Sequence, residues 1–511
     1  MGTAFEEAER QCSGLVDKYK APSSAWFEAT EADLGPDGRK FILQILQGHV
    51  DTRGQGDVGP TLRTADGIVL THRRLIKKTV ITLFGEVCFE RLGYSLPDHP
   101  TIFPLDAALN LPTSSFSAGI QRFIARRVSK MPFAEVLDLI HEVTGAVIRQ
   151  PQALEIVQRC SIDFEDFYES KEKQKSGYNP ILVLTTDGKG IVMRPEGLRE
   201  ETRKRAKLAE PQLKTRLTPG EKSNRKRMAQ VASIYFIKRF VRTTKEIIDD
   251  LARREAKKRR PSPNQKRVWA SVEKDADVVI KAIFEEAHKR DPKHQKEWVI
   301  LVDGNKHQLR LVKSLAKKEG VEASVILDII HVIEYLWDAA RVFNAAKDHK
   351  SCERWVEEQL TRVLDGDAGK VAGTIRLLAA KRKLTTAQAK TAKSTSRYIA
   401  QYKPYMQYDH YLKLGYPIAT GVIEGACRHL IKDRMDVTGA RWSLDGAESV
   451  LKLRSLVSSR DFDEYWTFHR QKEHERNHLS KFGDPGQLKT LLSSDSSRKK
   501  AINLGENRYP H

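Results

Sequence analysis

The sequence predicts a mixed α/β fold: an α/β core interrupted by an all-helical insertion, behind a mainly helical N-terminal region that includes a β-hairpin. Three observations predict it. Short runs of β-branched and aliphatic residues alternate with amphipathic helical stretches over residues 175–331, the pattern of a sheet with helices packed on it. Two of these runs end alike, at Ile181-Leu182-Val183-Leu184-Thr185-Thr186-Asp187-Gly188 and at Val299-Ile300-Leu301-Val302-Asp303-Gly304. From 332 to 410 the pattern is helical and charged, before the core resumes at 411–460. An Asp-Gly pair after one strand is common, because both residues suit turns; its return in one basic chain is what marks it.

A chain of 511 residues has room for roughly two to four domains, each with its own core. Apolar residues make up 40% and charged residues 30%, with a net charge of +21. Such an excess favours a polyanionic partner, nucleic acid ahead of an anionic membrane. No apolar run reaches the length of about 18 residues that a bilayer span needs. The start, MGTAFEEAERQ, has no apolar h-region, so no signal peptide is expected, and Glu6 argues against N-myristoylation. Cys12, Cys88, Cys160, Cys352 and Cys427 are scattered without a C-x-x-C pair. That favours a reducing compartment and argues against a cysteine-based zinc site.

Residues 1–60 form a charged amphipathic segment ending in the loop-like GQGDVGP. Within 61–160, KKTVITLFGEVCFERLGY reads as two β-rich runs separated around Phe84-Gly85, a hairpin signal. A proline-punctuated stretch follows, then three helices: SAGIQRFIARRVSK, PFAEVLDLIHEVTG and QPQALEIVQRC. Pro132 and Pro151 suit first helical turns, and Gly145 suits a C-terminal cap. With Arg122, Arg126, Arg127, Lys130 and Arg149 exposed, the three helices read either as a helix-turn-helix DNA reader or as an ordinary bundle. The connection over 144–150 is longer than the usual tight turn.

Residues 161–178 read as a linker. The strand at 181–186 follows, with Gly190-Ile191-Val192-Met193 as its hairpin partner, and VASIYFIKRFV (231–241) as a third strand. Two basic runs flank that third strand. One spans 199–227 and includes Arg225, Lys226 and Arg227; the other is RREAKKRRPSPNQKR over 253–267, with Arg259 and Arg260. Charge runs are usually solvated, but two of them ahead of a carboxylate site suit contact with a phosphate backbone. A helix at 276–290, a strand at 298–302, the helix KHQLRLVKSLAKKEG and the strand ASVILD complete the order. Three strands, helix, strand, helix, strand is the ribonuclease-H type of α/β arrangement, in which the ends of the first and fourth strands lie side by side. After the insertion, KLGYPIATGVIEGACRHLIKDRM places Gly421 before a helix whose first turns carry Glu424. The last segment, 461–511, holds DFDEYWTFHRQ and a polar tail from Lys472 expected to be flexible.

Asp187, Asp303 and Glu424 together suit a cage for two divalent cations. Phosphodiester hydrolysis or transesterification needs one metal to activate the attacking oxygen and a second, about 3.5–4 Å away, to stabilise the leaving oxygen. Carboxylate ligands suit Mg²⁺ or Mn²⁺, and three such carboxylates repel one another without a cation.

The motifs TTDGKG, VILVDGN, DIIH and GYPIATGVIEGACRHLIKDRMDVTGARW resemble bacterial insertion-sequence transposases of the Kra group. These are relatives of the Mutator-type transposases, which carry a DDE triad on a ribonuclease-H-like core. The resemblance covers roughly residues 73–460. It implies that Asp187, Asp303 and Glu424 are the catalytic triad and the ligands of two Mg²⁺ (or Mn²⁺) ions. The helical insertion between Asp303 and Glu424 matches the Mutator-type layout. Asp328-x-x-His331 resembles the C/D-x-x-H signature of that interval, implying a role in orienting the scissile phosphate or an exposed nucleotide. Read from the residues alone, the same pair is an N-cap aspartate and a core histidine. Arg441-Trp442 and Trp337 are further candidates for phosphate contact and base stacking, or else core tryptophans. Some relatives carry cysteine pairs after the N-terminal hairpin; this chain has Tyr94-Ser95-Leu96-Pro97 there, so a zinc-stabilised module is not expected.

What the resemblance implies is a DNA transposase in the bacterial cytoplasm, associated with the nucleoid. It would bind the element's terminal inverted repeats, cut each end, and use the freed 3′-hydroxyl to attack target DNA. Bringing two ends together implies a homodimer or larger assembly. Two rival readings are a ribonuclease-H-fold nuclease or resolvase that cuts without joining, and a DNA-binding regulator with a retired active site. Retention of all three carboxylates argues against the second.

Overall fold

The structure is a computed structural model that describes residues 3–20, 26–172, 180–208, 225–254, 259–344, 348–437, 439–483 and 486. It divides into two compact units, residues 1–169 with 462–511, and residues 170–461. Among the described residues, no helix is long and apolar enough to cross a membrane.

The first unit begins with helices Ala4–Lys20 and Phe27–Asp51 and a short ribbon, Leu62–Arg63 with Val69–Leu70. A three-stranded antiparallel sheet follows, ordered His72–Thr82, Gly85–Leu96, His99–Ile102. Thr82 pairs with Gly85 across a two-residue turn. Gly85 adopts φ +136°, and a Cβ there would lie 2.8 Å from Leu43 Cδ2, so the turn needs glycine both for its backbone and for its contact with the second helix. Helices Ala118–Val128, Phe133–Thr144 and Gln150–Arg159 bury Ile120, Ile124, Val136, Ile140, Ile156 and Val157. Gly145 closes the middle helix at φ 73°.

The unit is completed from the far end of the chain. Phe462–Asn477 is a 16-residue helix, so the flexible tail expected from Lys472 is instead ordered through Asn477; residues 487–511 lie outside the described residues. The reason is that its polar side chains are used inside the unit. Tyr465 Oη donates to the Cys160 carbonyl at 2.7 Å, His469 Nδ1 lies 2.6 Å from Asp163 Oδ2, and Arg476 donates to both Asp163 oxygens at 3.0 Å. Burial pushes the Asp163 carboxyl up, but the bonds from His469 and Arg476 outweigh it and hold it below its ordinary range.

The second unit is built on a five-stranded sheet. In chain order the core strands are Ile181–Val192, Lys226–Ile237, Asn264–Ser271, Glu297–Val302 and Ala323–Leu327. In space the fifth lies beside the fourth, then come the first, second and third. The first strand is antiparallel to the second and the second to the third, while the fourth and fifth run parallel to the first. Ile181, Leu182, Val183 and Leu184 are at most 1% exposed, and each such side chain contributes about 1.5–3 kcal/mol by leaving water.

Two expectations about this sheet are corrected. The first strand does not stop at Asp187 to turn back at Gly190; it continues to Val192 and pairs along its length with the second strand. Gly188 and Gly190 are extended, and a Cβ on each would meet Met228 Cε at 3.2 Å and Lys226 Cδ at 3.0 Å. Here glycine leaves room for cross-strand side chains rather than making a turn. The third strand is Asn264–Ser271, whose first residues read as part of a basic run. Its Arg267 is buried in an ion pair with Glu286 at 2.6 Å, so a cation sits in a strand because a helix supplies its partner. Three strands still precede the helix Ala276–Arg290, with different members.

After the fifth strand come Ile329–Phe343, His349–Leu364, Ala368–Lys381, Thr386–Tyr402 and Tyr408–Lys413. The chain then returns through Gly421–Ala426, the π-helical Cys427–Lys432 and Leu444–Ser459. Glu448, on that last helix, accepts from the backbone N–H groups of Val272 and Glu273 at 2.8 and 3.2 Å, fixing it at the end of the third strand.

Candidate active site

The register of the sheet brings the first two carboxylates together. Thr185 pairs with Leu301 as the last rung of the parallel ladder; two residues further stand Asp187, still on the first strand, and Asp303, just past the end of the fourth. Asp303 closes a local turn, its Oδ1 accepting from Asn305 N at 2.8 Å, and Asn305 Oδ1 in turn caps helix Lys306–Lys318. Gly304 has φ +91°, and a Cβ there would lie 2.7 Å from Tyr398 Oη. Tyr398 Oη donates to the Asp303 carbonyl at 3.3 Å and Tyr402 Oη to the Gly304 carbonyl. Tyr335 stacks on Tyr398 with centroids 3.9 Å apart. The helical insertion therefore holds the Asp303 turn by its backbone. Burial first, and then the negative charge of Asp187, push the Asp303 carboxyl above its ordinary range.

Asp187 is half-buried. Its Oδ1 accepts from Gly188 N at 2.6 Å and its Oδ2 from Cys427 Sγ at 3.1 Å. Burial, followed by the Asp187 charge, pushes the Cys427 thiol up, which keeps it a hydrogen-bond donor. Cys427 comes three residues after Glu424 and so shares its helix face; this bond is what docks the Glu424 helix on the first strand. Glu424 itself is exposed. Partial burial, then the charges of Asp328, Glu334 and Asp187 against that of His331, raise its carboxyl. From Cys427 the helix widens into a π-turn, a feature frequent at functional sites.

Asp328 is fully buried and caps helix Ile329–Phe343 by accepting from Ile330 N at 3.1 Å. It also accepts from Thr420 N at 3.2 Å, from the Thr420 hydroxyl, and from His331 Nδ1 at 3.0 Å. The N-cap reading of this residue is met, and the same side chain also faces His331. His331 is not a core residue, since 35% of its side chain is exposed. The Asp328 hydrogen bond, opposed by burial and reinforced by the charges of Asp328, Asp303 and Glu334, raises the His331 pKa to about 9. At neutral pH it is an imidazolium beside the carboxylates.

The five side chains act on one another, but they do not form a closed cage. Among the described residues, no group of three or more His, Cys, Asp and Glu is placed to hold a metal ion. Asp187 is engaged by Cys427, and Glu424 stands in solvent.

Other expected site residues fall outside the cluster. Trp442 is buried, its indole N–H donating to the Met435 carbonyl at 3.0 Å and its ring under Arg434 at 4.9 Å. It bridges to Met193, beyond the end of the first strand, so it serves as a core tryptophan; Arg441 is exposed. Trp337 is partly buried with Arg341 over its ring at 5.7 Å. Arg227 is turned inward, donating to the carbonyls of Val272, Gly197 and Glu273 at 2.8, 3.2 and 3.3 Å. Arg225 and Arg259 are exposed, Lys226 lies 3.8 Å from Asp436, and Arg260 pairs with Asp250. In the first unit, Arg122 and Arg126 both bond Asp463 Oδ1 at 2.7 Å, which lessens their charge. Arg127 on the first of the three helices, Lys130 just after it and Arg149 just ahead of the third are exposed.

Four contributors escaped the sequence reading: Thr420, Cys427, Tyr398 and Tyr402. Three left a signal, Cys427 at i+3 from Glu424 and the two tyrosines at i, i+4 on one helix.

No family model matches the chain, and no curated protein matches it. A solved structure, the Drosophila P element transposase strand transfer complex, aligns over 77% of this chain and 94% of that one, at 11% identity and a TM-score of 0.24. A superposition this loose bears on neither fold nor activity.

Proposed function

We propose that the chain is a DNA transposase with a ribonuclease-H-like core, acting through Asp187, Asp303 and Glu424. The observation that carries this reading is the parallel register of the first and fourth core strands, with Asp187 and Asp303 each two residues beyond its last pair, Thr185 with Leu301. Two further features support it. The sheet order, with three antiparallel strands and the fourth and fifth parallel to the first, is the order expected of that fold, and the insertion falls between Asp303 and Glu424. The motif resemblance supplies the reaction class.

The donor set is all carboxylate, which suits Mg²⁺ or Mn²⁺, and binding would draw Glu424 in from solvent and Asp187 from Cys427. Two such ions supply an activated attacking oxygen and a stabilised leaving oxygen. Burial first, and neighbouring carboxylates second, raise the Asp303 and Glu424 carboxyls, and the same carboxylates would repel DNA phosphate without cations. His331, kept protonated by Asp328, offers a fixed positive N–H to the scissile phosphate. Tyr398 and Tyr402 hold the Asp303 turn in place. In this reading the exposed Arg127, Lys130 and Arg149 bind the element's inverted repeats, and joining two ends calls for a homodimer or larger assembly.

The test is cutting and joining of the cognate element ends in Mg²⁺. The native protein is expected to join a pre-cut 3′ end to target DNA, Asp187→Ala to fall to background, and Glu424→Gln to bind ends without cutting. Cutting without joining would make the protein a nuclease or resolvase; binding alone would make it a regulator. A second readout needs no activity. Because the fold disfavours ionised Asp303, Asp303→Asn should melt higher than the native chain in EDTA, and Mn²⁺ should raise the melting temperature of the native chain alone.

A further inference from the structure

The insertion carries a surface that the candidate site does not use. Helices Ala368–Lys381 and Thr386–Tyr402 are joined by the short connection 382–385 and pack together, tied by Ser396 Oγ donating to the Ala372 carbonyl at 3.0 Å. From 368 to 408 the sequence holds nine lysines and arginines and no aspartate or glutamate. A charged surface usually mixes both signs. The preceding helix, His349–Leu364, does so, with Glu353, Glu357 and Glu358 among its cations. The one-signed stretch is therefore confined to this hairpin, and it contributes nine of the chain's net +21.

The charge is also focused in space. The two helices leave a groove whose floor is the small Ala379, Ala389 and Ala392 and whose walls include Arg376, Lys393 and Arg397. Lys390, Lys393 and Arg397 follow one another at helical spacing along the same face. All four cations are exposed, and among the described residues none of them is in an ion pair. The opposite face of the same helix carries Tyr398 and Tyr402, which hold the Asp303 turn.

We propose that this groove binds the phosphate backbone of duplex DNA without regard to sequence. Guanidinium groups fork onto phosphate oxygens, and ammonium groups add point charges along the strand. Small alanines let a backbone approach closely, and three to four cations released from solvent would each displace about one condensed counterion. An anionic membrane fits less well. Surface helices that bind lipid set a broad apolar face beside the cations, and Leu377 is the only large hydrophobic residue of this hairpin that is exposed.

The proposal does not depend on catalysis and is tested in EDTA on the full chain. Binding to an arbitrary duplex of about 30 base pairs is followed by fluorescence anisotropy across a salt series. For R376A/K393A/R397A, affinity at about 0.1 M salt should fall roughly tenfold or more, and the slope of log K against log salt should flatten by about 2–3. An unchanged slope overturns the proposal. So does a variant that loses binding to phosphatidylserine vesicles while holding duplex as tightly as before. Lysine acetylation footprinting of the unaltered chain guards against misfolding of the variant: duplex should protect Lys390 and Lys393, and equal labelling with and without duplex overturns the proposal as well.

Discussion

His331 is charged because a buried carboxylate, Asp328, faces it at 3.0 Å from the end of its own helix. Its pKa rises from 6.5 to about 9 in the fold, so protonation and folding favour each other. The stabilisation is complete below about pH 6.5 and fades as pH rises through about 9. His331→Gln should therefore cost on the order of 1 kcal/mol at pH 6, allowing for solvent screening of a partly exposed group, and almost nothing at pH 10. Urea denaturation at the two pH values measures this; an equal cost at both would assign His331 a packing role alone. The positions of Asp303 and of the Asp328-x-x-His331 pair were legible in the sequence because a strand end and a helix start leave local patterns, whereas Asp187 was read at a strand end that in fact lies at Val192. Thr420 was not legible, because it meets Asp328 across 92 residues of chain, and Cys427 left only its spacing from Glu424, since its bond to Asp187 spans 240 residues.

The elements show how one residue type can mean two things. Gly188 and Gly304 both follow an aspartate, and sequence alone read both as turns. Only Gly304 has a left-handed backbone, and its would-be Cβ meets Tyr398 Oη, whereas Gly188 is extended and meets the flexible end of Met228. Gly304→Ala should cost about 2 kcal/mol or more, from backbone strain and the displaced tyrosine together. Gly188→Ala should stay within about 0.5 kcal/mol, since the methionine can shift. Guanidinium denaturation of the two variants decides this, and matching losses would restore the turn reading at Gly188. The strand count came through from the sequence, but the membership did not. Hydrophobic periodicity locates apolar runs, and the third strand hides its core behind Lys266 and Arg267, a cation neutralised by Glu286 from another element.

At the scale of the molecule, the unit of residues 170–461 is set within the chain of the other, which is closed by helix Phe462–Asn477. Lys171 and Asp461, at the two ends of the inner segment, are paired at 2.7 Å, so its termini meet, as in tolerated domain insertions. Residues 170–461 expressed alone should fold and melt cooperatively. Residues 1–169 alone should not, because Asp163 would be left buried without His469 and Arg476, a loss worth about 3–5 kcal/mol. Circular dichroism melts of the two fragments test this, and a cooperative melt of 1–169 would refute it. The sequence divided the chain into six consecutive segments and placed the last as a tail, since a contact between distant stretches leaves no periodicity to read.

That arrangement also sets an order of events on the ribosome. Asp163 emerges 306 residues before His469, which at common elongation rates is on the order of 15–60 s. The inner core can be finished while the outer one still lacks its closing helix. A nascent chain with residues 170–461 outside the ribosome and Phe462–Asn477 still inside it would thus carry a folded inner core on an open N-terminal unit, with Ile120, Ile140 and their neighbours still within reach of chaperones.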